Sequence, residues 1–119
     1  MKVQRGDIVL VDFPYSDQTG GKIRPALVVQ SDMWNQRIDD TILAVITSSS
    51  RRRVGTSTQH FIDISTVEGQ QTGLHFNSIV QCENLITQDQ ELILQVIGRL
   101  SDSAMQQIDA CLKSALGFH

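Results

Sequence analysis

The amino-acid sequence predicts a mainly β chain: a compact, strongly bent antiparallel barrel with short helices between its strands and a longer helix at the C-terminus, α+β overall. Three observations predict it. Short β-branched runs recur throughout the first hundred residues, Gly-, Ser- and Asp-containing stretches separate them, and the apolar period changes from strand-like to helical after Ser101. There is no internal repeat, linker or low-complexity tract, so 119 residues with 40% hydrophobic composition read as a single domain, residues 1–119.

Each element follows from its own chemistry. Residues 7–13 (DIVLVDF) alternate large apolar side chains after Gly6 and form the first strand. Residues 14–23 (PYSDQTGGKI) cannot sustain a ladder and form a loop, long for a hairpin and therefore a place to look for function. Residues 25–30 (PALVVQ) return as a strand with Pro25 at its first position, where a missing N–H is tolerated. A short helix follows over residues 31–37, with Ser31 or Asp32 as N-cap. The near-continuous apolar run TILAVIT at 41–47 reads as a central strand covered on both faces. Residues 48–58 (SSSRRRVGTST) form a second, basic loop. Short strands are expected at 60–64 and 77–81, with a turn region over 68–72 between them, and 85–100 gives a strand-or-helix signal of which strand is the favoured reading. Beyond Ser101, Met105, Ile108, Leu112 and Ala115 or Leu116 line one helical face, with Ser103 and Gln106 as a capping box and Gly117 at the C-terminal left-handed position.

Composition narrows the function. No run approaches the roughly 20 apolar residues of a membrane span and no secretory signal opens the chain, so a cytoplasmic location is expected. Cys82 and Cys111 fall in different elements, outside any zinc-type spacing, and read as two buried thiols. The formal charge of -3 argues against a polyanionic partner, but its distribution does not. Residues 1–60 hold eight Lys/Arg against six Asp, whereas residues 61–119 hold two against seven carboxylates. Positive charge is thus concentrated around the two loops.

Arg24, fixed by the following proline at a loop-to-strand junction, suits an anionic ligand. Thr47 ends the buried strand, Ser48 to Ser50 continue as hydroxyls, and Arg51, Arg52 and Arg53 add three charges. Taken singly, such features are ordinary turn and surface chemistry. The lone histidines His60 and His75 read more readily as structural than as catalytic.

In order along the chain, these features resemble a known family. The opening RGDIVLVDFPYSDQTGGKIRPALVVQSD (residues 5–32), AVITS (44–48), TGLHFNSIVQCENLIT (72–87) and the terminal LKSALGF (112–118) are similar to the MazF/PemK toxins of toxin–antitoxin pairs. The likeness implies an SH3-like barrel that acts as a sequence-selective endoribonuclease on single-stranded RNA, with no metal and no other cofactor. The ribose 2′-hydroxyl would attack the adjacent phosphate, leaving a 2′,3′-cyclic phosphate and a 5′-hydroxyl. Carried over by position, Arg24 would hold the phosphate and Thr47 would donate to a non-bridging oxygen. Glu83 keeps a family carboxylate, whereas Gln81 stands where some members have a basic residue, and Asp17, Gln18 and Thr19 occupy the first loop where certain members carry a histidine. The acid and base therefore stay open. Gln18, Lys22, Ser48, Arg51, Arg52, Arg53 and His60 are the expected RNA contacts. The resemblance also implies a homodimer and an acidic antitoxin that folds into the RNA groove. Two other readings keep the barrel: a toxin that binds DNA gyrase without cleaving nucleic acid, and a plain SH3-like module, which the six scattered aromatic residues disfavour.

Overall fold

The computed structural model describes residues 2–13, 22–48 and 56–118. Its elements are β1 (Asp7–Phe13), β2 (Lys22–Val28), α1 (Asp32–Arg37), β3 (Asp40–Thr47), β4 (Gln59–Ile62), α2 (Val67–Gln70), β5 (Ser78–Asp89), a 3-10 turn at Gln90–Leu92, β6 (Ile93–Arg99) and α3 (Asp102–Leu116). The strands form one antiparallel sheet in the order β4-β5-β3-β2-β1-β6, so β3 is interior, as its apolar run requires. β4 and β6 are its edges, and among the described residues neither pairs with the other.

Curvature does what closure would do. On one face Val9, Val11, Phe13, Ala26, Val28, Leu43, Val45 and Ile93 are almost wholly buried against one another, and among the described residues no helix contributes to that cluster. The sheet itself bends around them. Register shifts between β1 and β6, and another between Ala44 and Val45 of β3, supply the bend. At the β3 shift Ala44 pairs with Leu85 and Val45 with Gln81, so residues 82–84 of β5 bulge out of the ladder. Residues of the other parity, including Ile8, Leu27, Ala44, Ile46 and Val80, form a second cluster that Ala104, Met105, Ile108 and Cys111 of α3 cover.

Several local expectations are corrected. β2 begins at Lys22, which puts Pro25 inside the strand opposite Leu10. The ladder with β3 starts only at Ala26, so the proline lies where β2 is paired on one side. The region read as two strands around 77–81 and 85–100 is the single long β5, a 3-10 turn and β6, while the 68–72 turn region contains the short helix α2, capped by Thr66 Oγ1 accepting from Gly69 N at 2.9 Å. Ser101, not Ser103, caps α3: its hydroxyl accepts from Ala104 N at 3.1 Å because the helix starts at Asp102. Gly117 does adopt the left-handed conformation, at φ +79°. Cys82 and Cys111 are both buried, facing each other across the β5–α3 contact as free thiols.

Away from the helix α3, the 3-10 turn is tied to α1 by a buried polar knot. Gln90 Nε2 donates to Asn35 O (2.9 Å) and its Oε1 accepts from Val3 N (2.9 Å), while Asn35 Oδ1 accepts from Thr41 Oγ1 (2.7 Å) and Gln30 Nε2 (2.9 Å). Among the described residues, no helix is long and apolar enough to cross a membrane.

Candidate active site

The helix α3 covers only part of the outer face of the sheet, and beside it lies a cavity of about 320 Å³. Leu10, Pro25 and Ile46 from β1, β2 and β3 form its apolar floor, with Ser78 at the start of β5 and Ile97 on β6. Lys22, Arg24 and Ser48 stand where β2 begins and β3 ends. The remaining wall is the segment from Gly73 to Phe76.

That wall is pinned by backbone constraints. Gly73 has φ +74°, and a Cβ there would stand 2.1 Å from Ile97 O, so only glycine lets the segment lie against β6. Buried Thr72 donates from Oγ1 to Gly69 O (2.6 Å) and accepts from Leu74 N (3.2 Å). Arg99 N donates to Gln71 O (3.0 Å), Ser78 Oγ to Phe76 O (2.8 Å), and Asn77 Oδ1 accepts from Ile64 N (2.9 Å). His75 is therefore carried to the cavity on a fixed loop, with its imidazole exposed.

The residues expected from the sequence are only partly brought together. Lys22, Arg24 and Ser48 line the cavity. Thr47 lies between cavity-lining Ile46 and Ser48 and pairs with Ile79 of β5. The β2–β3 ladder begins with Ala26 opposite Val45, so Arg24 and Thr47 lie just beyond it, at the start of β2 and the end of β3. Glu83 sits elsewhere, in the β5 bulge: its Oε1 accepts from Thr58 Oγ1 (3.0 Å) and its Oε2 from Gln59 Nε2 (2.6 Å). It lies four positions along β5 from Ile79, the partner of Thr47, with the bulge between β3 and β5 intervening.

His60 belongs to another cavity of about 180 Å³ between β4, α2 and α3, with Glu68 and Gln107. Burial pushes its imidazole below the ordinary value of 6.5, partly offset by a hydrogen bond with Gln107 and by the Glu68 charge. Gln18, Arg51, Arg52 and Arg53 lie outside the described residues. His75, which sequence reasoning set aside, is the addition. Its one signal was its place within the TGLHFNS stretch, just after a glycine that has to be glycine.

The chemistry of the cavity is distinctive. Two cations and two hydroxyls line it, and no carboxylate does among the described residues, an arrangement that favours an anion such as a phosphodiester. The cysteines offer no nucleophile: burial first, and then the neighbouring Cys111, push the Cys82 thiol up to about 12.

Comparisons with known proteins agree with this picture. The chain is 27% identical over 118 residues to endoribonuclease EndoA of Bacillus subtilis (strain 168), spanning 98% of this chain and 96% of that relative. Among solved structures, the fold matches an endoribonuclease in complex with its cognate antitoxin from a mycobacterial species, with a TM-score of 0.79 at 20% identity over 98% of this chain and 97% of the other. It also matches the MazE-MazF complex of Deinococcus radiodurans, with a TM-score of 0.74 at 19% identity and full coverage of both chains. The model of the PemK-like, MazF-like toxins of type II toxin–antitoxin systems matches residues 4–116, and the chain belongs to that family.

Proposed function

We propose that this protein is a cytoplasmic endoribonuclease toxin that cuts single-stranded RNA by attack of a ribose 2′-hydroxyl on the adjacent phosphate, without a metal. The observation that carries the reading is the cavity in which Lys22, Arg24 and Ser48 converge beside Thr47, in a chain whose relative EndoA is an endoribonuclease. The Arg24 guanidinium presents a rigid fork to two phosphate oxygens and the Thr47 hydroxyl donates a hydrogen bond to a non-bridging oxygen, so both stabilise the charge that builds on the oxygens of the pentacoordinate phosphorus. Lys22 adds charge at the rim, where the chain of phosphates enters. Only unstacked bases reach such a cavity, which accounts for a single-stranded substrate. Incubating the protein with mixed-sequence single-stranded RNA in excess chelator, then mapping the ends, tests this directly. Cleavage leaving 2′,3′-cyclic phosphate and 5′-hydroxyl ends is expected, and an intact RNA, or cleavage that needs added metal, refutes it.

The working unit in this proposal is a homodimer held in check by an acidic antitoxin. Leu92, Leu94 and Val96 are exposed along edge strand β6 and its approach, an apolar strip suited to a second copy. The solved relatives bound to antitoxins, and the cationic cavity, support a carboxylate-rich partner segment that occupies the RNA site. Inhibition by that partner should compete with RNA and weaken as salt rises, because exposed charges are screened over about 10 Å at 0.1 M ionic strength.

A further inference from the structure

We infer that His75 is the proton acceptor for the attacking 2′-hydroxyl, an assignment that rests on the RNA-cleaving function proposed above. The reaction needs a group that takes the 2′-hydroxyl proton as the 2′-oxygen bonds to phosphorus. Among the described residues, the polar ones lining the cavity are Lys22, Arg24, Ser48, His75 and Ser78. The lysine and arginine are proton-bearing cations and the serines are weak acids with little basicity, so as a set they donate. The imidazole is the one group of the five that offers a lone pair near neutral pH and can hold the proton afterwards. Glu83, the carboxylate that resemblance put forward, has both oxygens engaged by Thr58 and Gln59 at the far end of β4.

Position favours the same residue. His75 is exposed, so substrate and solvent both reach it, yet its backbone is fixed by the Gly73 approach to β6 and by the bonds at Thr72, Asn77 and Ser78. A fixed backbone leaves only the side-chain torsions to be set when substrate binds. The charged groups around it are Lys22 and Arg24, which share the cavity, and Asp63, which shares a shallow cleft on its other side. In the step itself the 2′-O–H proton passes to an imidazole nitrogen, the 2′-O–P bond forms, the P–O5′ bond breaks, and the departing 5′-oxygen takes a proton from solvent water. The imidazolium then returns its proton to solvent.

The test is kinetic. With a short single-stranded RNA spanning a mapped cut, His75→Gln and His75→Asn should lower kcat by about a hundredfold or more with KM within a few-fold, in line with the 10²–10⁴ that a positioned base contributes. The parent rate should rise with pH through the imidazole titration, and that acidic limb should vanish in both variants. A substrate carrying sulfur in place of the 5′-oxygen leaves without a proton donor, so it should not rescue them. If the parent cuts RNA but the folded variants cut within fivefold, or lose only KM, or are rescued by the 5′-sulfur substrate, His75 is not the acceptor. If the parent does not cut RNA at all, the proposed function fails before this assignment is reached.

Discussion

Arg24 and His75 line one cavity although they belong to different parts of the chain, the first to β2 and the second to a loop pinned against β6. A cation that holds a phosphate and a group that accepts a proton are thereby set around one space of about 320 Å³. In the proposed reaction this splits the work between charge stabilisation and proton transfer, and the two can be removed separately.

Replacing Arg24 or Thr47 by alanine should lower RNA cleavage by about a hundredfold or more while leaving the fold intact, since each loss removes a preorganised donor to the transition state. Arg24 should be the more damaging. Arg24→Lys should recover little, because a point charge does not reproduce the planar fork. Single-turnover rates with circular dichroism of each variant are the measurement, and a well-folded variant within a few-fold of the parent removes that residue from the mechanism.

Gly73→Ala should destabilise the protein by more than about 2 kcal/mol, since it combines a positive φ with a Cβ that would collide with the Ile97 carbonyl. It should also depress cleavage by the folded fraction, because the wall that carries His75 has to move. Gly117→Ala is the contrast: φ is also positive, at +79°, but nothing lies within 4 Å. There a cost of about 1 kcal/mol and an unchanged rate are expected from urea titrations and initial rates.

Asn35→Ala should cost about 2–4 kcal/mol. The loss follows from the hydrogen bonds that Thr41 and Gln30 make to its Oδ1, the first of which would leave the buried Thr41 hydroxyl without its acceptor beneath α1. Met33→Ala, on the exposed side of the same helix, should stay within about 0.5 kcal/mol. Equal effects of the two in chemical denaturation would mean that the polar knot is not what anchors α1.

Stability should fall on acidification through the titration of His60. Burial lowers its folded pKa below the 6.5 of the unfolded chain, so below about that pH the unfolded state binds a proton that the folded state resists. The loss should level off once the folded imidazole is protonated as well. Comparing Tm at about pH 7.5 and pH 5.5 checks this, and the pH-dependent drop should shrink in His60→Gln. A drop of the same size in that variant would assign it to other groups.

Much of the fold was legible in the sequence because it rests on local pattern. The alternation of DIVLVDF fixed β1, the unbroken TILAVIT announced an interior strand, and the three- and four-residue spacing of Met105, Ile108 and Leu112 defined α3. The ordered resemblance to MazF/PemK toxins was equally legible, and Lys22, Arg24 and Ser48 do share a cavity. What only the tertiary structure decided depends on contacts between distant segments. Nothing in residues 78–89 says that they form one strand with a bulge, since that comes from pairing with both β3 and β4. Nothing near Glu83 says that Thr58 and Gln59 hold it away from the cavity, and nothing near His75 says that a glycine two residues earlier lays it beside Arg24. A side chain's type is written in the chain, but its neighbours across a bent sheet are set by register and curvature, which no short window of sequence contains.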